Sequence, residues 1–433
     1  MIAEFIIENF YSIKSAQKIS FEPSSDTFMS DEYSCEVKEG VRLLKVGIIY
    51  GANASGKTNI LNAIEFFKML VLRMPNDRNE KIRVVPFMLD DTSRNEMTKM
   101  SMAFYINQSK YILNFELDAK HIYSETLIIY ESKRPTKLYS RSYDAATDST
   151  TIEFGGKLKL TKKSQDVISG NTINNCSVLA AFGKSNVERT KLNEVYEYFA
   201  QQVKDVLAPG MMLSRYVKSR LNKDETGDLK KFILDLLKAS DFNIEDVVLH
   251  EEEKPITPEL GQLIQSVPIN NEAKTEMLRK GKITNMELTF KHKAGNQVYD
   301  LSEEYESNGT MRFMGLAVIL NYLLKSNRFV PIDEVETSIQ YELLSYFLKV
   351  FLANSHGTSQ MLLTTHDINL LNEDFIRRDT IWFTDKDELG ETKLLRLSSL
   401  GLHKNLSPYN AYKQGKLVKL PFLGSQYLYT NDD

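Results

Sequence analysis

The stretch Gly51-Ala52-Asn53-Ala54-Ser55-Gly56-Lys57-Thr58 decides the fold, because it matches the phosphate-loop pattern GxxxxGK[ST]. An apolar run of strand length, Leu43 to Tyr50, precedes it, and a segment with helical periodicity follows directly. Glycines let backbone N–H groups turn inward around a β-phosphate, and the helix N-terminus adds the positive end of its dipole. Lys57 would reach the β- and γ-phosphates, and Thr58 offers a hydroxyl to Mg²⁺. Strand, glycine loop and helix together predict a nucleotide site at residues 51–59.

A second motif, Phe329-Val330-Pro331-Ile332-Asp333-Glu334, is an apolar strand that ends in two carboxylates. In phosphoryl transfer such a pair can divide the work: the first holds Mg²⁺ and the second orients or deprotonates the attacking water. Asp333 and Glu334 are the candidates for these roles, and the alternative is an acidic turn after a buried strand. Pro331 has no N–H to donate to a ladder, so it predicts a bulge or a locally unpaired position.

Two weaker motifs complete the series. The segment Glu306-Ser307-Asn308-Gly309-Thr310 precedes a predicted helix, where it could present N–H groups and a hydroxyl to an anion, or could be a plain N-cap. His366 ends the apolar strand Met361 to Thr365, where an imidazole can contact a γ-phosphate or the attacking water. Taken alone, such a histidine is more often structural. The order of all four motifs favours nucleotide hydrolysis.

Periodicity divides the rest of the chain. Short β-like runs from Arg83 to Tyr139 predict an antiparallel sheet. From about residue 171 to 282 the period is helical, and one helix is expected to continue through Val203 and Val206 to the break at Pro209. Strands and helices alternate after residue 284, which predicts a parallel sheet covered by helices. We expect an α/β fold with a split ATPase head at 1–165 and 284–433, and a helical insert at 166–283 for dimerisation or partner binding.

Composition narrows the possible classes. The chain has 433 residues, 42% hydrophobic and 26% charged, which is typical of soluble globular proteins. Its net charge of −4 provides no global positive field, so any DNA contact must be local. Cys35 and Cys176 are the only cysteines, which excludes a disulfide framework or a cysteine-rich zinc site. The longest apolar stretch is shorter than the ~20 residues that a membrane helix needs, so we expect a complete cytoplasmic protein without membrane contact.

The series of motifs resembles the heads of ATP-binding-cassette and SMC-like ATPases. More closely, the chain is similar to the stand-alone bacterial AAA15 or AAA21 group, which includes ATPase subunits of the anti-phage systems PARIS, AbiL and Septu. That group is related to the overcoming-lysogenisation-defect nucleases. The resemblance extends over nearly the whole chain and includes Asn9-Phe10-Tyr11-Ser12-Ile13, Val85-Pro86-Phe87, Ala239-Ser240-Asp241-Phe242 with Ile244, and Arg377-Arg378-Asp379-Thr380-Ile381-Trp382-Phe383.

The resemblance implies a P-loop ATPase head with a mixed sheet and an antiparallel β subdomain, using ATP and Mg²⁺. It implies that Glu334 and His366 are catalytic and that Thr58 and Asp333 hold the metal. The implied nucleotide-binding residues are Gly51, Asn53, Ala54, Ser55, Gly56, Lys57, Thr58 and Asn59, together with Ser307, Asn308, Gly309 and Thr310 acting in trans. ATP would then hold two heads together, and Glu336-Thr337-Ser338 would cross the dimer seam. Three positions depart from the pattern: Ala54 replaces a common glycine, Gln340 a frequent histidine, and Tyr11 a basic residue.

The implied function is that of a slowly hydrolysing sensor or switch in anti-phage defence. Its ATP-dependent homodimer, or a larger oligomer, would control a separately encoded effector nuclease of Toprim or HNH type in response to a phage-encoded trigger. Relatives with a built-in nuclease continue into a Toprim domain, whereas 67 residues follow His366 here, so we expect no nuclease in this chain. Asp385-Lys386-Asp387 is interpreted as a solvated turn, and the basic stretch Arg215 to Lys223 as a solvated surface rather than a phosphate-binding one.

Two alternatives remain open. One is a DNA-repair ATPase resembling RecF or Rad50, in which head closure clamps DNA; it predicts binding that weakens steeply with salt. The other is a scaffold that binds ATP without appreciable turnover and uses it as an assembly ligand.

Overall fold

The computed structural model describes residues 1–266, 271–401 and 406–419. The strands in these residues are β1 (Ile2–Glu8), β2 (Gln17–Ser20), β3 (Ser34–Lys38), β4 (Val41–Leu44), β5 (Val46–Tyr50), β6 (Thr98–Ile106), β7 (Ser109–Leu117), β8 (Ile122–Tyr130), β9 (Thr136–Asp144), β10 (Ser149–Phe154), β11 (Ile244–Pro255), β12 (Lys282–Ala294), β13 (Gln297–Ser302), β14 (Phe329–Ile332), β15 (Gln360–Thr365), β16 (Ile381–Lys386) and β17 (Thr392–Arg396). The α-helices are α1 (Ser30–Tyr33), α2 (Lys57–Leu72), α3 (Lys162–Asn171), α4 (Val178–Gly183), α5 (Lys191–Glu197), α6 (Leu213–Leu221), α7 (Asp228–Ala239), α8 (Pro258–Ser266), α9 (Asn271–Lys280), α10 (Asn308–Lys325), α11 (Tyr341–Asn354) and α12 (Pro408–Lys413).

A five-stranded mixed sheet carries the nucleotide motifs. Its order is β14-β15-β5-β16-β17; the first four strands are parallel, and β17 runs antiparallel to β16. The strands β5, β14 and β15 are apolar and buried along most of their length, as parallel strands covered on both faces usually are. The predicted α/β class is confirmed, and the carboxyl ends of β5, β14 and β15 meet at one edge of the sheet.

Pro331 lies in the edge strand β14, which explains how a proline is tolerated there. Its carbonyl accepts a hydrogen bond from Leu207 N at 3.0 Å, on the side of β14 opposite β15. Because the N and C=O of one strand residue face the same side, the missing N–H also faces that side. There the neighbouring segment is bridged to β14 at two isolated points, Val203 to Phe329 and Leu207 to Ile332.

The same bridges show that the predicted long helix was wrong beyond residue 202. Helix α5 continues into a π-helical turn, Tyr198–Gln202, and the chain from Val203 to Leu207 then runs beside β14. The apolar residues Val203 and Val206 continue the helical spacing of the preceding turns, but backbone pairing with β14 determines their conformation. Tertiary contacts commonly override such a local preference.

The second sheet is antiparallel and has the order β10-β9-β8-β7-β6-β1-β2. It confirms the sheet predicted for residues 83–139, but it continues to Phe154 and takes in the N-terminal hairpin. Helix α2 contacts it through Phe67, whose ring lies 5.5 Å from that of Phe5 and 5.2 Å from that of Phe115, both edge-on. This buried aromatic group fixes the helix that follows the phosphate loop.

Contacts divide the chain into two compact units. The first contains residues up to 209, residues 323–336 and the chain from 350 onward; the second contains 210–322 and 337–349. Residues 166–209 of the predicted insert therefore lie in the first unit. The remainder is not purely helical, because β11 pairs with β12 from Ile244 to Pro255, in a three-stranded sheet with β13. In the described ranges, no helix combines the length and apolarity needed to cross a membrane.

Candidate nucleotide site

The phosphate loop joins β5 to α2, and its two glycines are fixed by close packing. A Cβ on Gly51 would lie 2.3 Å from Thr384 Oγ1, and one on Gly56 would lie 2.2 Å from Thr392 Oγ1. Gly56 also has a φ of +105°, which favours glycine. Both positions therefore exclude a side chain, as a loop whose backbone must approach phosphates requires.

Hydroxyl groups from distant segments hold the loop from behind. Ser55 Oγ lies 2.6 Å from Thr384 Oγ1, and Thr392 Oγ1 donates to Ser55 O at 2.9 Å. Ser12 Oγ lies 2.7 Å from Thr392 Oγ1 and accepts from Asn59 Nδ2 at 2.7 Å. The N-terminal segment, the loop, α2 and β17 are thus joined in one network.

Asn53 and Ala54 form the exposed tip of the loop. Ala54 adopts a φ of +60°, in the left-handed region that a residue with a Cβ enters at a cost of roughly 1–2 kcal/mol. This conformation explains in physical terms why glycine would suit the position. The loop keeps its shape with alanine because the packing at Gly51 and Gly56 determines it.

Lys57 begins α2 and is buried at the base of the loop. Its ammonium donates to Gly51 O at 2.9 Å and to Ala52 O at 3.1 Å. Burial lowers the pKa of Lys57, while the charges of Asp333, Glu334 and Glu336 act in the opposite direction. A cation held by loop carbonyls can move to phosphate oxygens over a short distance.

Thr58 and Asp333 meet where a divalent cation would be needed. Thr58 Oγ1 donates to Asp333 Oδ2 at 2.9 Å, and the Thr364 hydroxyl donates to the other oxygen, Oδ1. Asp333 is buried, whereas Thr58 is exposed. One hydroxyl and one carboxylate fit Mg²⁺, which is usually bound through one or two carboxylates together with substrate phosphates.

Glu334 and His366 lie side by side at the same edge. Glu334 has a φ of +44°, and its N–H donates to Thr364 Oγ1 at 2.8 Å. A carboxylate oxygen of Glu334 lies 3.6 Å from His366 Nε2, while His366 Nδ1 is 3.4 Å from Lys57 Nζ. Strained backbone of this kind is found at functional sites, where the surrounding structure holds it. The first unit thus brings together all the residues predicted from the first, second and fourth motifs.

The third motif lies in the second unit. Ser307 Oγ accepts from Thr310 N at 3.0 Å and lies 2.8 Å from Thr310 Oγ1, so Ser307 caps helix α10. Ser307 and Asn308 are exposed, and a Cβ on Gly309 would lie 2.9 Å from Ser338 O. The N-cap alternative therefore describes the local geometry of this segment. Its action in trans stays a prediction.

The structure also shows the contacts of the basic stretch Arg215 to Lys223 and of the acidic segment at residues 385–387. In the basic stretch, Lys218 donates to Met286 O at 2.8 Å and pairs with Glu303, and Arg220 lies over the Tyr322 ring at 5.1 Å. The segment Asp385-Lys386-Asp387 is only in part the predicted solvated turn, because Asp385 and Lys386 are half-buried residues of β16 that pair with β17. The turn begins at Asp387, whose Oδ1 accepts from Glu391 N.

Sequence reasoning missed four supporting hydroxyls, those of Ser12, Thr364, Thr384 and Thr392. Ser12 and Thr364 lie within sequence motifs named above and Thr384 directly follows one, but the spacing of these motifs assigns no role to the three hydroxyls. Thr392 lies more than 300 residues from the serine that it contacts. For Thr364 the sequence did offer a signal, because it lies near the end of the apolar strand that pairs with β14. The parallel register pairs Ile332 with Leu363, so the next residues, Asp333 and Thr364, are neighbours.

Residues 48–372 match the AAA_21 family model, described as "AAA domain, putative AbiEii toxin, Type IV TA system". No curated protein matches the chain. Among solved structures, the chain is similar to the SMC head domain from Thermotoga maritima, with 14% identity over 91% of this chain and 98% of that one and a TM-score of 0.41. It is also similar to an Smc head domain with an extended coiled coil, bound to the C-terminal domain of ScpA, from Pyrococcus furiosus, with 14% identity over 95% and 98% of the two chains and a TM-score of 0.38.

Proposed function

Because the chain belongs to the AAA_21 family, we propose that it is a Mg²⁺-dependent ATPase whose ATP-bound heads dimerise and control a separately encoded effector nuclease in anti-phage defence. The observation that carries the catalytic part is the contact between Thr58 and Asp333, directly beside Lys57 and the glycine loop. A hydroxyl, a carboxylate and an ammonium at the N-terminus of a helix form a binding site for a metal–triphosphate complex.

Binding begins at the loop. The N–H groups of residues 51–58 and the ammonium of Lys57 hold the phosphates, for which Lys57 leaves the carbonyls of Gly51 and Ala52. The Thr58 hydroxyl and the Asp333 carboxylate would hold Mg²⁺, which would supply positive charge beside the phosphate oxygens. Thr364 orients the Asp333 carboxylate through the hydrogen bond to Oδ1.

Hydrolysis needs a group that accepts the proton of the attacking water. Glu334 supplies a carboxylate at the same sheet edge, held by the bond from its own N–H to Thr364. His366, 3.6 Å from that carboxylate, is placed to orient the water or to contact the γ-phosphate.

Dimerisation is supported by the exposed third motif. Ser307 and Asn308 are exposed at the start of an 18-residue helix. A Cβ on the next residue, Gly309, would lie 2.9 Å from Ser338 O, so glycine is needed there. In the proposed dimer, Ser307, Asn308, Gly309 and Thr310 contact the γ-phosphate of ATP bound to the partner. The defence role rests on the resemblance to anti-phage ATPases, and the family description, which names a toxin–antitoxin system, is in keeping with it.

The central test is Glu334→Gln, measured by ATP hydrolysis, ATP affinity and light scattering. Removal of a general base should lower kcat by about 100-fold or more while ATP still binds. The variant should then accumulate as an ATP-bound dimer. Glu342→Gln, at an exposed position of α11, removes the same charge and should behave as the unaltered protein. The proposal would be contradicted if Glu334→Gln left kcat unchanged. It would also be contradicted if neither the unaltered protein nor the variant formed a dimer with ATP.

The partner is identified by co-expressing the chain with its chromosomal neighbours and analysing the purified complex by mass spectrometry. A co-purifying nuclease supports the switch role. Recovery of DNA alone, lost as salt is raised, would instead favour the repair-clamp alternative. ATP-dependent assembly without turnover would favour the scaffold.

A further inference from the structure

The main-chain N–H of His366 is bound by a side chain rather than by a neighbouring strand. Strand β15 ends at Thr365, whose ladder partner in β5 is Tyr50. One residue later, His366 N donates to Glu336 Oε1 at 2.5 Å. The half-buried Glu336 carboxylate thus accepts the N–H bond that a neighbouring strand would accept if the strand pairing continued. Hydrogen bonds to charged acceptors are about twice as strong as those between neutral groups.

This bond is the last of three that join the consecutive residues Glu334, Val335 and Glu336 to the end of β15 and the residue that follows it. Glu334 N donates to Thr364 Oγ1 at 2.8 Å, and Val335 N donates to Thr364 O at 3.1 Å. The Glu336 carboxylate then reaches His366. The turn after β14 and the end of β15 are therefore tied together along their length, and Glu334 and His366 face each other across that junction.

We propose that Glu336 is a positioning residue that holds the His366 main chain so that the imidazole stays beside the Glu334 carboxylate. This inference rests on the proposed function, because it concerns the geometry of the hydrolytic pair. Glu336 does not touch the reacting atoms through this contact. Its effect should therefore appear in turnover rather than in ATP affinity.

The second oxygen of Glu336 gives a further reason to assign it a role. Oε2 is buried and has no hydrogen-bond partner among the described residues. Buried polar atoms are rarely left unpaired, so this oxygen calls for an explanation beyond packing.

The test compares Glu336→Ala with Glu336→Gln. Alanine removes the acceptor for His366 N–H, whereas the glutamine carbonyl can replace Oε1. Hydrogen exchange of the nucleotide-free protein reads the contact directly: in Glu336→Ala the His366 amide should exchange about 10- to 100-fold faster, as expected for the loss of a hydrogen bond to a charged group. Glu336→Gln should keep most of the protection.

Turnover and affinity complete the test. Glu336→Ala should lower kcat by about 10- to 100-fold with the Kd for ATP within about threefold, and Glu336→Gln should recover most of the loss. The inference is overturned if Glu336→Ala leaves either kcat or His366 exchange unchanged, or if both variants lose kcat equally. Wild-type protein without ATPase activity would instead refute the proposed function, while exchange at His366 would still report the contact.

Discussion

The phosphate loop of the first unit and the Ser307–Thr310 segment of the second are built from the same residue types, yet they differ in what their hydroxyl groups contact. In the phosphate loop, Ser55 bonds to Thr384 and Thr392, more than 300 residues away. In the second segment, Ser307 bonds within its own helical turn, to Thr310. Glycine and serine before a helix therefore give a packed loop in one case and an exposed cap in the other.

The difference shows how each segment can serve a ligand. The phosphate loop is held in shape by long-range contacts, so it is pre-organised before any nucleotide arrives. The Ser307 hydroxyl bonds locally, to Thr310, and Ser307 and Asn308 are exposed to solvent. The first should therefore be sensitive to substitutions that disturb packing, and the second to substitutions that remove a contact group without affecting stability.

The largest effect is expected for Gly56→Ala, which tests the packed side of the comparison. A Cβ there would lie 2.2 Å from Thr392 Oγ1, at a φ of +105°. Clash and backbone strain together cost about 3 kcal/mol or more, so the affinity for ATP should fall by about 100-fold. A fluorescent ATP analogue measures the affinity.

Gly156→Ala serves as the control, since a Cβ at Gly156 meets no atom within 4 Å. It should bind the analogue as the unaltered protein does. If Gly56→Ala bound equally well, the loop would have to be far more adaptable than its packing indicates.

Much of the first unit could be predicted because its signals are local. The phosphate loop, α2, β14 and β15 each follow from a short motif or a run of apolar residues. The hydroxyls behind the loop could not be predicted in this way, since Thr384 and Thr392 carry no motif and act only through the folding of distant segments. The supporting parts of a site are therefore harder to find than its contact residues.

The chain from Val203 to Leu207 shows the opposite failure. Its apolar residues continue the helical spacing of α5, yet the backbone from Val203 to Leu207 runs beside β14 instead of forming a helix. Pairing of Lys204 and Leu207 with the carbonyls of Phe329 and Pro331 offers a backbone alternative that no single-sequence period reveals. The proline that was discordant in β14 was the available signal, because it marks an edge with an incomplete partner.

An intermediate effect is expected for Ser307→Ala, which tests the exposed side. Loss of a hydrogen bond to a phosphate should weaken the ATP-dependent dimer by about 10-fold, with the affinity of the monomer for ATP unchanged. Sedimentation of the Glu334→Gln background with ATP measures the dimer. A fall in monomer affinity would mean that Ser307 does not act on the partner's nucleotide.

The cap itself must be controlled for, because alanine also removes an N-cap worth about 1 kcal/mol. Thr161 provides the match: its hydroxyl accepts from Ser164 N at 3.2 Å and caps α3 in the first unit. Thr161→Ala should lose similar local stability and leave dimerisation intact. Equal loss of the dimer in both variants would assign the effect to helix stability.

The smallest effect is expected for Ala54→Gly, which separates loop shape from loop strain. Glycine relieves the left-handed strain of about 1–2 kcal/mol, but its unfolded state gains about 0.5–1 kcal/mol of entropy. A net stabilisation of about 0.5–1 kcal/mol should raise Tm by about 1–3 °C. Ala63→Gly, at a buried helical position of α2, should lower Tm instead. Because Gly51 and Gly56 already fix the loop, ATP affinity should stay within about twofold in Ala54→Gly; a large change would show that the tip, and not only the packed base, sets the shape that phosphates meet.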